Sequence, residues 1–269
     1  MTMARESPDA VAIQLLKLDR NLRVAMRFFG QATGNGEIRT LDRAECVYSG
    51  LDYGVFNIAF LTQAVGSNRE LGAILDECRS YYLQRRVRWS FWLCEELLPP
   101  VSRRVSRDLF TSIGMRPISQ AAAMVAGQLA PAPRPLPEID CRPVRDAATR
   151  SAFTSLTSTC FDIPLAVSRA VYESESAWAG DYRGFVGFVR GYPVSMAALV
   201  RTEGALGIYS LGTSPENRRR GYGEALLRAT LAERLPGDLL VLESTEAGYP
   251  LYRRMGFREI AKFTVYLVK

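Results

Sequence analysis

Residues 209–227 read YSLGTSPENRRRGYGEALL. A run suited to a strand gives way to a Ser-Pro turn, three arginines and two glycines, and apolar residues at helical spacing follow at once. A helix that begins here leaves about four backbone N–H groups unpaired and carries partial positive charge, and glycines at 221 and 223 let main chain approach an anion closely. A basic helix cap has the same appearance. The spacing Arg218-x-x-Gly221-x-Gly223 departs from both common nucleotide signatures: the Walker pattern is absent, and Leu226 stands where the dinucleotide pattern needs a third glycine.

The surroundings read as mixed α/β. Upstream, YRGFVGFVRG, YPVSMAALVRTEG and ALGIYSLGT form three predicted strands, preceded by the helical stretches RDAATRSAFTSLTSTCF and PLAVSRAVYESE. Downstream, GYGEALLRATLAERL is a predicted helix ending at Pro236-Gly237, DLLVLES a buried strand, GYPLYRRM a short helix, and FREIAKFTVYLVK a final strand or strand pair.

Further out, LAPAPRPLPEID (129–140) carries prolines at 131, 133, 135 and 137, which forbid a helix and favour an extended connector. It divides 269 residues nearly in half, so the expected organisation is a domain over 1–129, a linker over 130–137 and a domain over 138–269. The halves echo each other. Setting Leu109 against Leu251, an offset of 142 residues, pairs Phe110 with Tyr252, Gly114 with Gly256, Met115 with Phe257, Arg116 with Arg258 and Ile118 with Ile260. Two copies of one α/β unit are the expectation.

Composition narrows the chemistry. A net charge of +6 suits small polyanions as well as nucleic acid, and the five scattered cysteines suggest neither a disulfide framework nor a zinc site. With no histidine, Ser-His-Asp, Cys-His and His-metal chemistry is excluded, and proton transfer falls to Glu, Asp, Tyr, Cys, Lys, a terminus or water. No stretch approaches a membrane span and no signal peptide is evident, so a cytoplasmic location without membrane association is expected.

The loop resembles that of the GCN5-related N-acetyltransferases (GNAT), which read [QR]-x-x-G-x-[GA] between a strand and a long helix; Arg218, Gly221 and Gly223 fit it. LYRRMGF (251–257) is similar to the family's second hallmark, a tyrosine-bearing helix followed by Gly-Phe, in the right order after an intervening strand. The resemblance covers 138–269 well and 20–130 as a degenerate echo. It implies two GNAT-like domains, each a central, mostly antiparallel twisted sheet flanked by helices. It also implies acetyl-CoA as co-substrate, no metal, and an amine of a small molecule or peptide as acceptor. The implied coenzyme contacts are Leu211, Gly212 and Thr213 on the strand, main chain from Arg219 through Arg220, Gly221, Tyr222 and Gly223 to Glu224, the Arg218 charge, and Thr245 and Tyr249 downstream. Thr245 stands where the family often has Asn.

The resemblance puts the acid that protonates the departing thiolate at Tyr252; a phenol of pKa ~10 matches a thiol of about 8–9. An amphipathic core role is the alternative. The base is open among Glu243, Glu246, the carboxylate of Lys269 and water, with Glu243 the first choice, because the strand before the loop offers only Tyr209 and Ser210. The first half has Gly66 alone in its turn, Glu70 near its helix start and Phe110 in place of the tyrosine, so it is expected not to bind CoA but to shape the acceptor cleft or a subunit contact, with a homodimer left open. Two rivals stand beside the enzyme. One is a non-catalytic acyl-CoA-binding regulatory module. The other, a single-strand nucleic-acid binder using Tyr81, Tyr82, Trp89 and Trp92 beside Arg79, Arg85, Arg86 and Arg88, is disfavoured because those aromatics read as core.

Overall fold

Every strand and helix expected in the second half forms, and the first half repeats their order with one long helix in place of the first two. The computed structural model describes residues 7–268. The first half runs α1 (Pro8–Ala32), β1 (Glu37–Thr40), β2 (Ala44–Tyr48), β3 (Ile58–Leu61), α2 (Asn68–Arg85), β4 (Ser90–Cys94), α3 (Pro100–Ser112) and β5 (Met115–Ala126). The second runs β6 (Asp140–Pro143), α4 (Ala147–Phe161), α5 (Leu165–Tyr172), β7 (Arg183–Val189), β8 (Tyr192–Thr202), β9 (Ala205–Thr213), α6 (Tyr222–Thr230), β10 (Leu239–Ser244), α7 (Tyr249–Arg254) and β11 (Arg258–Val268). One boundary differs from expectation, and one open alternative is settled. The helix after the loop ends at Thr230 and passes into a 3-10 turn over Leu231–Glu233, because Pro236 disfavours helix before it and Asp238 accepts the Leu235 N–H at 2.9 Å. The last segment is one strand, bent by a bulge at Ile260.

The sheets of the two halves are joined. The described strands form a single eleven-stranded sheet in the order β1-β2-β3-β4-β11-β5-β10-β9-β8-β7-β6. Each half leaves a gap of one strand between its last two strands, and the final strand of the other half fills it. β5 lies between β10 and β11, and β11 lies between β4 and β5. This exchange removes two open edges that separate halves would present.

The β5–β11 ladder carries the internal repeat in its register. Arg258 pairs with Val125 and Arg116 with Leu267; Glu259 pairs with Met124 and Pro117 with Tyr266; Ala261 pairs with Ala123 and Ser119 with Val265. Each couple maps onto the other by the 142-residue offset, Ala121 with Phe263 maps onto itself, and the two bulges fall at Ile118 and Ile260. Gly114 (φ 84°) and Gly256 (φ 98°) end the helices before these strands in the left-handed conformation that glycine adopts freely.

α1 ties the halves into one core. Leu18, Leu22, Ala25 and Phe29 are buried along one stripe, and Phe28 stacks on Tyr182 of the second half with centroids 4.3 Å apart. Each fully buried leucine contributes about 1.5–3 kcal/mol. Tyr81, Tyr82 and Trp89 are core residues, and Trp92 packs against the core; Tyr82 stacks on Trp89 at 4.9 Å and donates to the Val47 and Ile58 carbonyls. They offer no stacking platform for bases. No helix among the described residues is long and apolar enough to cross a membrane.

Candidate active site

The site begins where two parallel strands part. β9 and β10 pair through Ala205–Leu239, Leu206–Leu240 and Gly207–Val241, and no further. Beyond that vertex β9 follows β8 while β10 follows β5. A register shift in the β8–β9 ladder, with Ser210 in the left-handed region at φ 49°, increases the divergence. The result is a fork whose inner edge on one side is the main chain of Leu211, Gly212 and Thr213. Side-chain alternation places Val241 with Tyr209 in the core around α1, and Leu240 and Leu242 with Tyr252 in the core under α6. Tyr209 and Glu243, each two residues beyond the vertex, therefore stand level across the fork on the α1 face.

At the open end of β9 the arginine–glycine loop turns into α6. Arg219 (φ 62°) and Gly221 (φ 90°) are left-handed, and Gly221 is the N-cap residue, with no side chain capping the helix. The first intrahelical bond across this cap runs from Ala225 N–H to the Gly221 carbonyl, so the N–H groups of Tyr222, Gly223 and Glu224 lie ahead of the intrahelical bonding and could meet an anion. A Cβ at 221 would lie 3.0 Å from Pro137 Cδ, and one at 223 would lie 3.0 Å from Thr213 Oγ1, so both glycines answer to close packing as well as to anion approach. The arginines divide their work. All three are exposed, and Arg218 also donates from Nε to the Thr213 carbonyl at 3.1 Å. Glu224 is buried and paired at 2.8 Å with Arg228, which also donates to the Ala130 carbonyl of the linker.

Glu243 is half-buried, and its Oε1 atom is enclosed without a hydrogen-bond partner among the described residues. Burial first, and the charge of Asp19 on α1 second, push its carboxyl up to about 8 from an ordinary 4.5. Such a carboxyl holds its proton at neutral pH and ionises as pH rises through about 8, so it can act as a base in its ionised fraction. Tyr252 lies on α7, on the other face of the sheet; burial first and the Glu243 charge second push its phenol up, so it stays protonated. Gly248 makes room for it: a Cβ there would lie 3.0 Å from the ring.

The remaining expected residues are near this centre without touching it in one cluster. The Thr245 hydroxyl accepts the Gly248 N–H at 3.3 Å, Tyr249 packs at the edge of the core beneath α6, and Glu246 is exposed in the turn. The Lys269 carboxylate lies outside the described residues. Asn21, Asp19 and Tyr209 were not singled out as site residues by sequence reasoning. The available signal for the first two is that Asp19 and Asn21 share the buried face of the helix with Leu18, Leu22 and Ala25 within AIQLLKLDRNLRVAMRFF.

The first half lacks each part. By the two-fold register Trp92 holds the position of Glu243, since it pairs with Val265 as Glu243 pairs with Ala123. Phe110 holds that of Tyr252, fully buried and stacked on Tyr266 at 3.9 Å. At the start of α2 the Ser67 hydroxyl accepts the Glu70 N–H, and the Glu70 carboxylate accepts the Gly66 N–H at 2.6 Å. The amides that would meet an anion are already capped, beside a negative charge.

Residues 172–259, about a third of the chain, match the family model described as an acetyltransferase (GNAT) domain. No curated protein matches the chain. Among solved structures, a GCN5-related N-acetyltransferase from Kribbella flavida is similar over 92% of this chain and 95% of its own, with a TM-score of 0.66 and 18% identity. A tandem GNAT protein from the clavulanic acid biosynthesis pathway is similar over 97% of this chain and 95% of its own, with a TM-score of 0.55 and 11% identity. A GCN5-related N-acetyltransferase from Sphaerobacter thermophilus is similar over 85% and 82%, with a TM-score of 0.54 and 18% identity. The chain has the GNAT fold in tandem form, the family model matching within its second half and the first half repeating the fold in degenerate form.

Proposed function

We propose that the protein is an acetyl-CoA-dependent N-acetyltransferase that transfers the acetyl group to a primary amine by direct attack in a ternary complex. The observation that carries this reading is the fork between β9 and β10, with uncapped amides at its open end, a carboxylate of raised pKa on one face and a buried phenol on the other. The amides from Arg219 to Glu224 would hold the diphosphate, with the exposed Arg219 and Arg220 adding charge, and the edge of Leu211, Gly212 and Thr213 would pair with the pantetheine arm. Thr245 and Tyr249 would border that arm. Acetyl-CoA supplies an activated acyl carbon, and the chain supplies orientation and proton transfer.

In the reaction the acceptor nitrogen attacks the thioester carbonyl carbon, a C–N bond forms and the C–S bond breaks. Glu243 accepts the proton lost by the amine, and Tyr252 gives its proton to the departing sulfur. A main-chain N–H group of the Leu211–Thr213 edge would donate to the developing oxyanion. The first half contributes no second coenzyme site. Calorimetry with acetyl-CoA should give one site per chain, and thiol release should follow addition of a primary amine. Binding without turnover across a broad amine panel would instead support a regulatory acyl-CoA-binding module, and no binding at all would refute both.

A further inference from the structure

The long helix of the first half reaches the vertex of the fork. Asn21 of α1 is fully buried; its Nδ2 donates to the Val200 carbonyl at 3.1 Å and to the Thr202 hydroxyl at 2.8 Å, and its Oδ1 accepts the Tyr209 hydroxyl at 2.7 Å. All three partners lie on β8 and β9 of the second half. Oδ1 stands 1.8 Å from where a Cβ on Gly207 would be, so only glycine fits there. Gly207 is also the last β9 residue paired with β10. Asn21 is thus wedged at the point where the strands part.

One step further along the same face, Tyr209 and Glu243 each stand two residues beyond the vertex; the Tyr209 ring folds back over Gly207, its hydroxyl 2.8 Å from where a Cβ there would be, and the Glu243 charge acts on that phenol. A phenol has one proton to donate. Beside a buried carboxylate it would ordinarily give that proton to the carboxylate, yet here the proton is committed to Asn21 Oδ1, and Glu243 Oε1 has no partner among the described residues. The other groups acting on Glu243 do not satisfy it. Asp19 from α1 is negative and paired at 3.1 Å with Arg23, and Tyr252 from α7 feels the Glu243 charge without a hydrogen bond to it.

We propose that Asn21 is a positioning residue for catalysis: by taking the Tyr209 proton at the vertex of the fork, it keeps the Glu243 carboxylate unpaired and free to receive the proton of the acceptor amine. The degenerate half then serves the reaction through one amide. This rests on the reading of Glu243 as the base, but the clamp itself has a readout independent of turnover.

The test uses the full chain as Asn21→Leu, Tyr209→Phe and the double variant. The Glu243 carboxyl is titrated by carbon-13 NMR, and kcat/KM against pH and acetyl-CoA affinity are measured alongside. With Asn21→Leu the phenol is released to donate to Glu243, so the carboxyl midpoint and the acid limb of kcat/KM should both fall by about one pH unit or more, and the kcat plateau above both midpoints should fall by about threefold, with coenzyme affinity unchanged within about twofold. The double variant, which has no phenol to donate, should return the midpoint to the wild-type value. Tyr209→Phe alone should leave it in place. An unmoved midpoint in Asn21→Leu, or a double variant that keeps the lowered one, overturns the proposal. If Asn21→Leu does not fold, Tyr209→Phe decides: a midpoint that rises by about a unit would mean the phenol already donates to Glu243. Wild-type protein that shows the expected midpoints but neither binds acetyl-CoA nor turns over would sink the functional reading and leave the clamp standing.

Discussion

Replacing Glu243 by Gln should stabilise the fold, and by an amount that depends on pH. The carboxyl is held near 8 in the folded chain against 4.5 ordinarily, mainly through burial. A carboxyl with a raised folded pKa contributes stability that is fully present below its unfolded pKa and is lost as pH rises through the folded value. Wild-type protein therefore loses stability between about pH 4.5 and pH 8 relative to the Gln variant, which has no charge to bury. At about 1.4 kcal/mol per pH unit the ceiling is about 5 kcal/mol, and solvent on the exposed side of the carboxylate brings the expected gain to about 2–4 kcal/mol. Urea unfolding of both proteins at pH 5, 7 and 9 measures it. The stability difference should widen from pH 5 to pH 9 and then level off, with activity lost at every pH. A difference that stays flat, or a variant less stable at pH 9, would mean that the carboxylate has a partner in the folded chain and that the argument from desolvation is wrong. A stabilising loss of function is the signature of a group retained for chemistry.

Tyr252→Phe should lower kcat by about 10- to 100-fold while acetyl-CoA affinity stays within about twofold, as measured by steady-state kinetics and calorimetry; an unchanged kcat removes the phenol from the acid role. Glu at both 218 and 220 should weaken acetyl-CoA binding by about tenfold or more, and equal affinity would make the loop a simple helix cap. Gly221→Ala must take up a φ of 90° and meet Pro137 Cδ at 3.0 Å; it should cost about 1–2 kcal/mol in thermal unfolding and weaken coenzyme binding as well, and wild-type values for both would contradict the packing argument.

What could be read from the sequence was local or periodic. The Arg218–Gly223 loop is visible because a strand-to-helix turn and its glycines are contiguous. The two-copy architecture is visible because Phe110, Gly114 and Ile118 match Tyr252, Gly256 and Ile260, and the β5–β11 ladder turns that match into paired bulges. The strand exchange was not legible, since side-chain alternation shows that a segment is a strand but not which neighbour it chooses. The contribution of α1 was hidden for the same reason: Asn21 and Tyr209 are 188 residues apart, and only the packed structure brings them together. Glu243 stood among several carboxylates until the fold showed that its surroundings leave one oxygen enclosed and unpaired.

In the proposed reaction acetyl-CoA lies in the fork between β9 and β10. A crystal structure of the chain with the coenzyme bound tests it most directly. The diphosphate should lie against the amides from Arg219 to Glu224, the pantetheine should pair along Leu211–Thr213, and the thioester should sit between Glu243 and Tyr252. Coenzyme seated in the first half, or on the surface away from the fork, would contradict it.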